Sequence, residues 1–113
     1  MTIQKGKPFV REALFGGAGS VHVWDLLAGQ SAAPFTAVLS CELAPAGHVG
    51  RHRQEHFAEI VIVLEGEGYA RVADVAQGIE PGTVLHLPCG QTLELRNRSE
   101  TEPLRYLIIK AAG

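Results

Sequence analysis

The chain has 113 residues, of which 46% are hydrophobic and 19% are charged, and its formal net charge is -2. This length is enough for one compact core and too short for two ordinary domains. The small negative charge provides no long-range attraction for nucleic acid or for an anionic membrane, so neither is expected as a partner. The composition favours a folded, core-forming protein over a disordered one.

The amino-terminal segment, residues 1–19, is predicted to be an irregular or edge-strand arm. It ends in a flexible glycine-rich run at residues 16–19. The segment lacks the continuous apolar region of a secretory signal, and no stretch of the chain reaches the length of a membrane span. We therefore expect a cytoplasmic protein.

Residues 20–110 are predicted to form a barrel of short strands, and the whole chain, residues 1–113, is expected to be a single domain. The alternation of apolar and mixed residues and the content of β-branched residues indicate strands. Their predicted ranges are 20–27, 35–43, 59–64, 69–75, 83–87, 92–96 and 104–110. Regular Gly and Pro turns, without a convincing amphipathic helix, indicate an all-β barrel or sandwich.

A spacing of four residues separates His48, His52 and His56, which would align them on one face of a helix. Gly47 and Gly50 disfavour a helix there, and the β-branched run 60–63 that follows is typical of a strand. On an extended strand, residues two apart share a face, so His52 and Gln54 are expected to point to the same side.

Two segments resemble the sequence motifs of the cupin superfamily. Residues 52–66 read HRQEHFAEIVIVLEG and residues 82–97 read GTVLHLPCGQTLELRN. The positions that match the family's histidine, glutamate, glycine, proline and asparagine are His52, Glu59, Gly66, Gly82, Pro88, Gly90 and Asn97. The resemblance spans roughly residues 35–110 and implies a cupin-like jelly-roll β-barrel.

The resemblance also implies a metal site, because the family usually holds one divalent ion with three histidines and one glutamate. The chain keeps His52 and Glu59, whereas Gln54 and Leu93 occupy the other two ligand positions. The bound ion is expected to be Mn, Fe, Ni or Zn if the site is completed, and no metal is expected if it is not.

A replacement ligand could come from His56, three residues before the glutamate, or from His86 on a neighbouring strand. If Leu85 and Leu87 line the core, alternation turns His86 away from the cavity. If His86 faces inward instead, the cavity regains an imidazole.

Glu59 is the candidate catalytic residue. In an apolar cavity without a metal, burial would raise its pKa and suit it to act as a general acid or base. The residues expected to line the cavity are His52, Gln54, Glu59, Leu93 and His86.

The two cysteines are expected to be reduced thiols, because their spacing fits neither a metal pair nor a disulfide scaffold. Cys41 shares a strand face with Leu39 and Leu43, which predicts a small buried core residue. Cys89 lies in a Pro-Cys-Gly turn and is expected to be the more exposed of the two.

Three functions remain open at this point. The first is a barrel that binds a small organic molecule, as a binding module or divergent enzyme with a degraded metal site. The second is a metal-dependent cupin enzyme of the dioxygenase or isomerase type, in which His52 and Glu59 gain a replacement ligand. The third is a structural or regulatory dimer without catalysis. Apolar side chains on both faces of residues 60–64 and 107–109 favour a homodimer.

Overall fold

The computed structural model describes residues 3–112, so the first two residues of the predicted arm and the last residue of the chain lie outside the described part. The described strands, in chain order, are β1 Phe9–Glu12, β2 Ser20–Asp25, β3 Phe35–Leu43, β4 His48–Arg53, β5 Phe57–Glu65, β6 Gly68–Val72, β7 Val75–Ile79, β8 Val84–Leu87, β9 Thr92–Asn97 and β10 Leu104–Ala112. A short 3-10 helix, Leu14–Gly16, lies between β1 and β2. No helix among residues 3–112 is long and apolar enough to cross a membrane.

The strands form two antiparallel sheets. The larger sheet has the strand order β1-β2-β3-β10-β5-β8 and the smaller one the order β4-β9-β6-β7. Side chains from both sheets build one apolar core, whose members are Val21, Val23, Cys41, Leu43, Val49, Val61, Val63, Ala70, Ile79, Leu85, Leu87, Leu93, Leu95, Leu104 and Tyr106. This is the all-β jelly-roll barrel that the sequence predicts.

Alternation along the strands explains which residues reach this core. In β8, Leu85 and Leu87 are buried while Val84 and His86 are exposed. Successive side chains of a strand point to opposite faces, so burying the two leucines turns the histidine outward.

The predicted single strand 69–75 is wrong, because the chain reverses within it. Strand β6 ends at Val72, and Val75 of β7 pairs directly with it across the two-residue turn Ala73-Asp74. Both turn residues have positive φ, 49° and 69°. Two-residue hairpins favour turns with positive φ at both positions because their twist matches that of the strands. The Ala-Asp pair lacks the glycine that normally signals such a turn, which is why the sequence did not indicate it.

Within one chain, the two-sided burial expected for residues 60–64 is not met. Val61 and Val63, on the inner face of β5, are 0% and 1% exposed, whereas Ile60 on the outer face is 38% exposed. The outer face of this part of the larger sheet is therefore open in a single copy of the protein.

The amino-terminal arm is tied to β4 rather than ending in a flexible run as expected. Ala18 and His48 exchange two backbone hydrogen bonds, each of 2.8 Å. The backbones approach so closely that a Cβ on Gly17 would lie 1.7 Å from the His48 oxygen, and one on Gly50 would lie 1.9 Å from the Phe15 oxygen. Glycine at both positions is thus required for the arm to pack this closely against β4.

At the last residue of β9, next to the start of β4, Asn97 ties three chain segments together. Its side-chain nitrogen donates to the carbonyl oxygens of Leu43, Ala44 and Glu102 at 3.3, 3.1 and 2.8 Å. Its side-chain oxygen accepts a hydrogen bond of 2.9 Å from the Ser99 backbone nitrogen. Because the side chain is only 4% exposed, these bonds replace the water that burial removes.

Candidate functional site

A cavity of about 620 Å³ opens at the end of the barrel where the arm lies. Its walls are contributed by both sheets and by the arm and are mainly apolar, including Val21, Val23, Leu39, Leu95 and Ile108. Polar groups in the less exposed part of the wall belong to Cys41, His52, Gln54, Glu59, Tyr106 and Lys110, and exposed ones belong to Arg11, Arg53, Glu55 and His56. Apolar walls with a few converging polar groups are typical of a small-molecule site.

Four of the five residues expected to line this cavity lie in its wall. His52 and Gln54 reach it from β4 and the residue after it, Glu59 from β5, and Leu93 from β9. The expectation for His86 is wrong, because alternation in β8 places its side chain on the exposed face. For the same reason His86 cannot be the replacement ligand inside the barrel.

His52 is fixed by contacts on both ring nitrogens. Its Nδ1 donates to the Gly50 carbonyl oxygen at 3.0 Å, which leaves Nε2 to accept a hydrogen bond of 3.2 Å from the side-chain nitrogen of Gln54. The Phe15 ring of the arm stacks on the imidazole with 3.9 Å between ring centroids. Burial lowers the pKa of His52, partly offset by the Gly50 hydrogen bond, so the neutral ring is favoured.

Glu59 lies deep in the cavity and is paired with a lysine. Its side chain is 2% exposed, and its Oε1 lies 3.8 Å from the Lys110 Nζ. The two residues face each other directly in the register of β5 and β10. Burial raises the pKa of the Glu59 carboxyl, and the positive charge of Lys110 reduces this effect.

Cys41 and Tyr106 pair across β3 and β10 and supply two further polar groups to the wall. Burial, and secondly the charge of Glu59, raises the pKa of the Cys41 thiol to about 12. Burial also raises the pKa of Tyr106 well above its ordinary value. Both groups therefore remain protonated at neutral pH, a state that suits hydrogen bonding rather than nucleophilic attack.

The exposed part of the wall carries charges of both signs, on Arg53 and Glu55. His56 is exposed and its ring stands edge-on to Phe57, with 6.2 Å between ring centroids. Arg53, also exposed, donates to the Gly90 carbonyl oxygen at 2.8 Å. Cys89 is exposed as expected, and both cysteines are free.

The residues present do not fit the divalent ion that the family usually holds. The Nε2 lone pair of His52 is used by Gln54, and Leu93 offers no donor atom. The Lys110 ammonium lies beside the Glu59 carboxylate, where it would repel a cation. Within residues 3–112, no group of three or more His, Cys, Asp or Glu side chains is arranged to hold a metal ion.

Sequence reasoning did not place Phe15, Tyr106 or Lys110 in this site, and it predicted Cys41 only as a core residue. Lys110 lies outside both motifs, beyond residue 97, so nothing in the motif spacing points to it. The sequence feature that could have identified it is a single lysine within the otherwise apolar run from Leu107 to Ala112 of the final strand. Phe15 lies in an arm for which the sequence shows no regular pattern.

Comparison with known proteins supports the fold. A family model described as a cupin domain matches residues 39–110. No curated protein matches the chain.

Several solved structures are similar over most of its length. A predicted oxalate decarboxylase from Thermotoga maritima is 22% identical, with a TM-score of 0.87 and coverage of 100% of this chain and 99% of that chain. A cupin-2 domain from Rhodospirillum rubrum is 20% identical, with a TM-score of 0.76 and coverage of 100% and 78%. A sugar phosphate isomerase from a cupin superfamily, from Silicibacter pomeroyi, is 20% identical, with a TM-score of 0.68 and coverage of 82% and 60%. Likeness at these identities extends to the fold and not to the activity.

Proposed function

We propose that this chain, which belongs to the cupin family and carries Gln54 and Leu93 at two of the family's four metal-ligand positions, binds a small organic molecule in its barrel without a metal ion. The observation that carries this proposal is the cavity of about 620 Å³, which has the size and the mixed lining of a small-molecule site. Neither nucleic acid nor a membrane surface is part of the proposal.

The polar groups of the cavity support a ligand that is oriented by hydrogen bonds. His52 is held in one tautomer, and Cys41 and Tyr106 keep their protons at neutral pH. If the bound molecule also reacts, Glu59 is the group placed to move a proton, because burial brings its pKa closer to neutrality. His52, with both ring nitrogens occupied, would then offer the ligand contact with its ring rather than a hydrogen bond.

The first test is the metal content of untagged protein by elemental mass spectrometry, after dialysis against a chelator and after reloading with iron, manganese, nickel or zinc. We expect no retained ion under any loading. About one ion per chain would overturn the metal-free site and favour the metal-dependent enzyme, with His56 as the added ligand.

The second test asks whether the cavity binds small molecules. Ligand-observed NMR with benzamide, benzyl alcohol and benzoate should detect binding of at least one compound to the wild-type protein. Leu39→Trp places bulk in the cavity wall and should abolish it. Val75→Trp, at a 65% exposed position outside the cavity, is the matched control and should leave binding unchanged. Equal binding to both variants would contradict the proposal.

We also propose that the protein forms a homodimer through the outer face of the larger sheet. The registers of β10, β5 and β8 place Leu107, Ile62 and Val84 side by side, next to the pair Ile109 and Ile60. A second copy would cover this contiguous apolar patch, since a self-complementary face suits a two-fold dimer.

Light scattering after size-exclusion chromatography tests the dimer directly. The wild-type protein should have the mass of two chains, and Ile60→Lys should shift it to one because a charge would be buried in the contact. Val75→Lys, on the exposed strand β7 of the other sheet, should leave the mass unchanged. A wild-type monomer would refute this interface.

A further inference from the structure

Lys110 is a charged group of the cavity wall that has no role in the proposed function. It reaches the cavity from β10 and its side chain is 29% exposed, so its charge is partly removed from solvent among apolar walls. Placing an ammonium group there costs free energy, which the neighbouring Glu59 carboxylate offsets only in part because the two groups are 3.8 Å apart. The position of this charge therefore indicates what the cavity accepts.

The pairing with Glu59 leaves hydrogen-bonding capacity on the lysine. An ammonium group has three N–H donors, and a charged hydrogen bond between nitrogen and oxygen is about 2.7–2.9 Å long. The distance from Lys110 Nζ to Glu59 Oε1 is 3.8 Å, which is an ion pair without a hydrogen bond. Among the hydrogen bonds of the described residues, none involves this nitrogen. Its donors are thus free to bind a ligand atom.

We propose that the Lys110 ammonium binds the carboxylate of a small apolar acid whose body fills the cavity. This inference rests on the proposed function and names the class of its ligand. A carboxylate supplies the acceptor oxygens that the ammonium lacks, and the apolar walls formed by residues such as Val23, Leu39 and Ile108 accept the rest of the molecule.

The charge balance favours one negative charge on the ligand over two. Lys110 already faces the Glu59 carboxylate, so a single additional anion shares one ammonium with it. A phosphate dianion would need further cations close by, and the arginines of the wall, Arg11 and Arg53, are exposed. A cationic ligand would be repelled by the ammonium group.

Binding of four compounds that share one benzene ring tests this class. Isothermal titration compares benzoate with neutral benzamide, cationic benzylamine and dianionic phenyl phosphate. We expect benzoate to bind most tightly to the wild-type protein. Tighter binding of phenyl phosphate or benzylamine would overturn the assigned charge of the ligand.

Variants of the lysine then test the assigned residue. Lys110→Met keeps the length of the side chain and should weaken benzoate binding roughly ten- to hundredfold, as loss of a hydrogen bond to a charged group does, while benzamide binding stays within about threefold. Lys110→Arg should retain the preference for benzoate. Lys7→Met, an exposed lysine outside the cavity, is the control for net charge and should change nothing.

The outcomes separate this inference from the proposed function. If benzamide and benzoate bind equally well, and Lys110→Met affects neither, the cavity binds small molecules but the carboxylate assignment is wrong. If none of the four compounds binds, and Leu39→Trp and the wild-type protein give the same flat titrations, both the cavity's function and the carboxylate assignment fail.

Discussion

The two ends of the barrel each bury a polar residue, and they treat it in opposite ways. Asn97, at the end away from the cavity, is 4% exposed, and Glu59, at the cavity end, is 2% exposed. The amide of Asn97 is surrounded by backbone groups at 2.8–3.3 Å. The carboxylate of Glu59 has one charged partner, at 3.8 Å.

This difference distinguishes a structural role from a ligand-binding role for a buried polar group. A side chain whose hydrogen bonds all end on the backbone holds the fold and has nothing left to offer a ligand. A pair of charges that face a cavity without a hydrogen bond between them leaves donors and acceptors open. Both residues match family motif positions, so the motifs alone do not separate the two roles.

Removing the Asn97 side chain should cause the largest loss of stability. Asn97→Ala leaves the buried carbonyl oxygen of Leu43 and the part-buried one of Ala44 without this donor, so we expect a loss of about 2–4 kcal/mol in the free energy of unfolding. Urea denaturation followed by far-ultraviolet circular dichroism measures it.

Ser99→Ala is the comparison within the same turn. Its hydroxyl accepts hydrogen bonds from the Thr101 and Glu102 backbone nitrogens in a more exposed setting, so the loss should stay below about 1 kcal/mol. Equal losses of unfolding free energy for the two variants would mean that the Asn97 hydrogen bonds do not hold this end of the barrel together.

Displacing the amino-terminal arm from β4 should cause the next largest loss of stability. Gly50→Ala adds a Cβ that would lie 1.9 Å from the Phe15 carbonyl oxygen, so the arm has to move and Phe15 loses its stacking on His52. We expect a loss of about 1–3 kcal/mol and faster cleavage of the arm by limited proteolysis.

Gly78→Ala is the matched control for a glycine within a strand. A Cβ at this position in β7 meets nothing within 4 Å, and its φ is not positive. Stability should be unchanged or slightly increased, because alanine restricts the unfolded chain more than glycine does. Unaltered proteolysis of the arm in Gly50→Ala would show that the close approach does not hold it.

The end of the barrel that contains Asn97 was more predictable from sequence than the end that contains the cavity. The family glycine Gly66 has φ of +90°, and a Cβ there would lie 2.8 Å from the Pro103 oxygen, so local backbone geometry explains the motif. Strand alternation likewise predicts the buried residues of β9, where Leu93, Leu95 and Asn97 face inward. Such features depend on near neighbours in the chain and are visible in its pattern.

The chemistry at the cavity end depends on pairs that are far apart in sequence. Glu59 meets Lys110 because β10 lies beside β5, and Phe15 covers His52 because the arm crosses β4. No spacing rule links these residues. The outward direction of His86 was left open by the sequence because it depended on which face of β8 packs inward.

The smallest effect is expected at Glu59, and it should depend on pH. Because its pKa is raised in the folded protein, the native state holds this proton more tightly than the unfolded chain does. Wild-type stability should therefore decrease as pH rises from the ordinary carboxyl pKa through the raised one. Glu59→Gln does not titrate, so its stability relative to wild type should increase over the same window.

The size of this change is limited by the charges around Glu59. Lys110 lowers the pKa of the carboxyl, and the protonated Cys41 and Tyr106 nearby stay neutral through the window. We expect a change below about 1 kcal/mol between pH values of about 4 and 8 in urea titrations. Lys110→Met should steepen the decline, because it removes the charge that opposes the shift. Parallel profiles for the wild type, Glu59→Gln and Lys110→Met would show that the carboxylate is as well solvated in the folded barrel as in the unfolded chain, and the contrast between the two ends would then disappear.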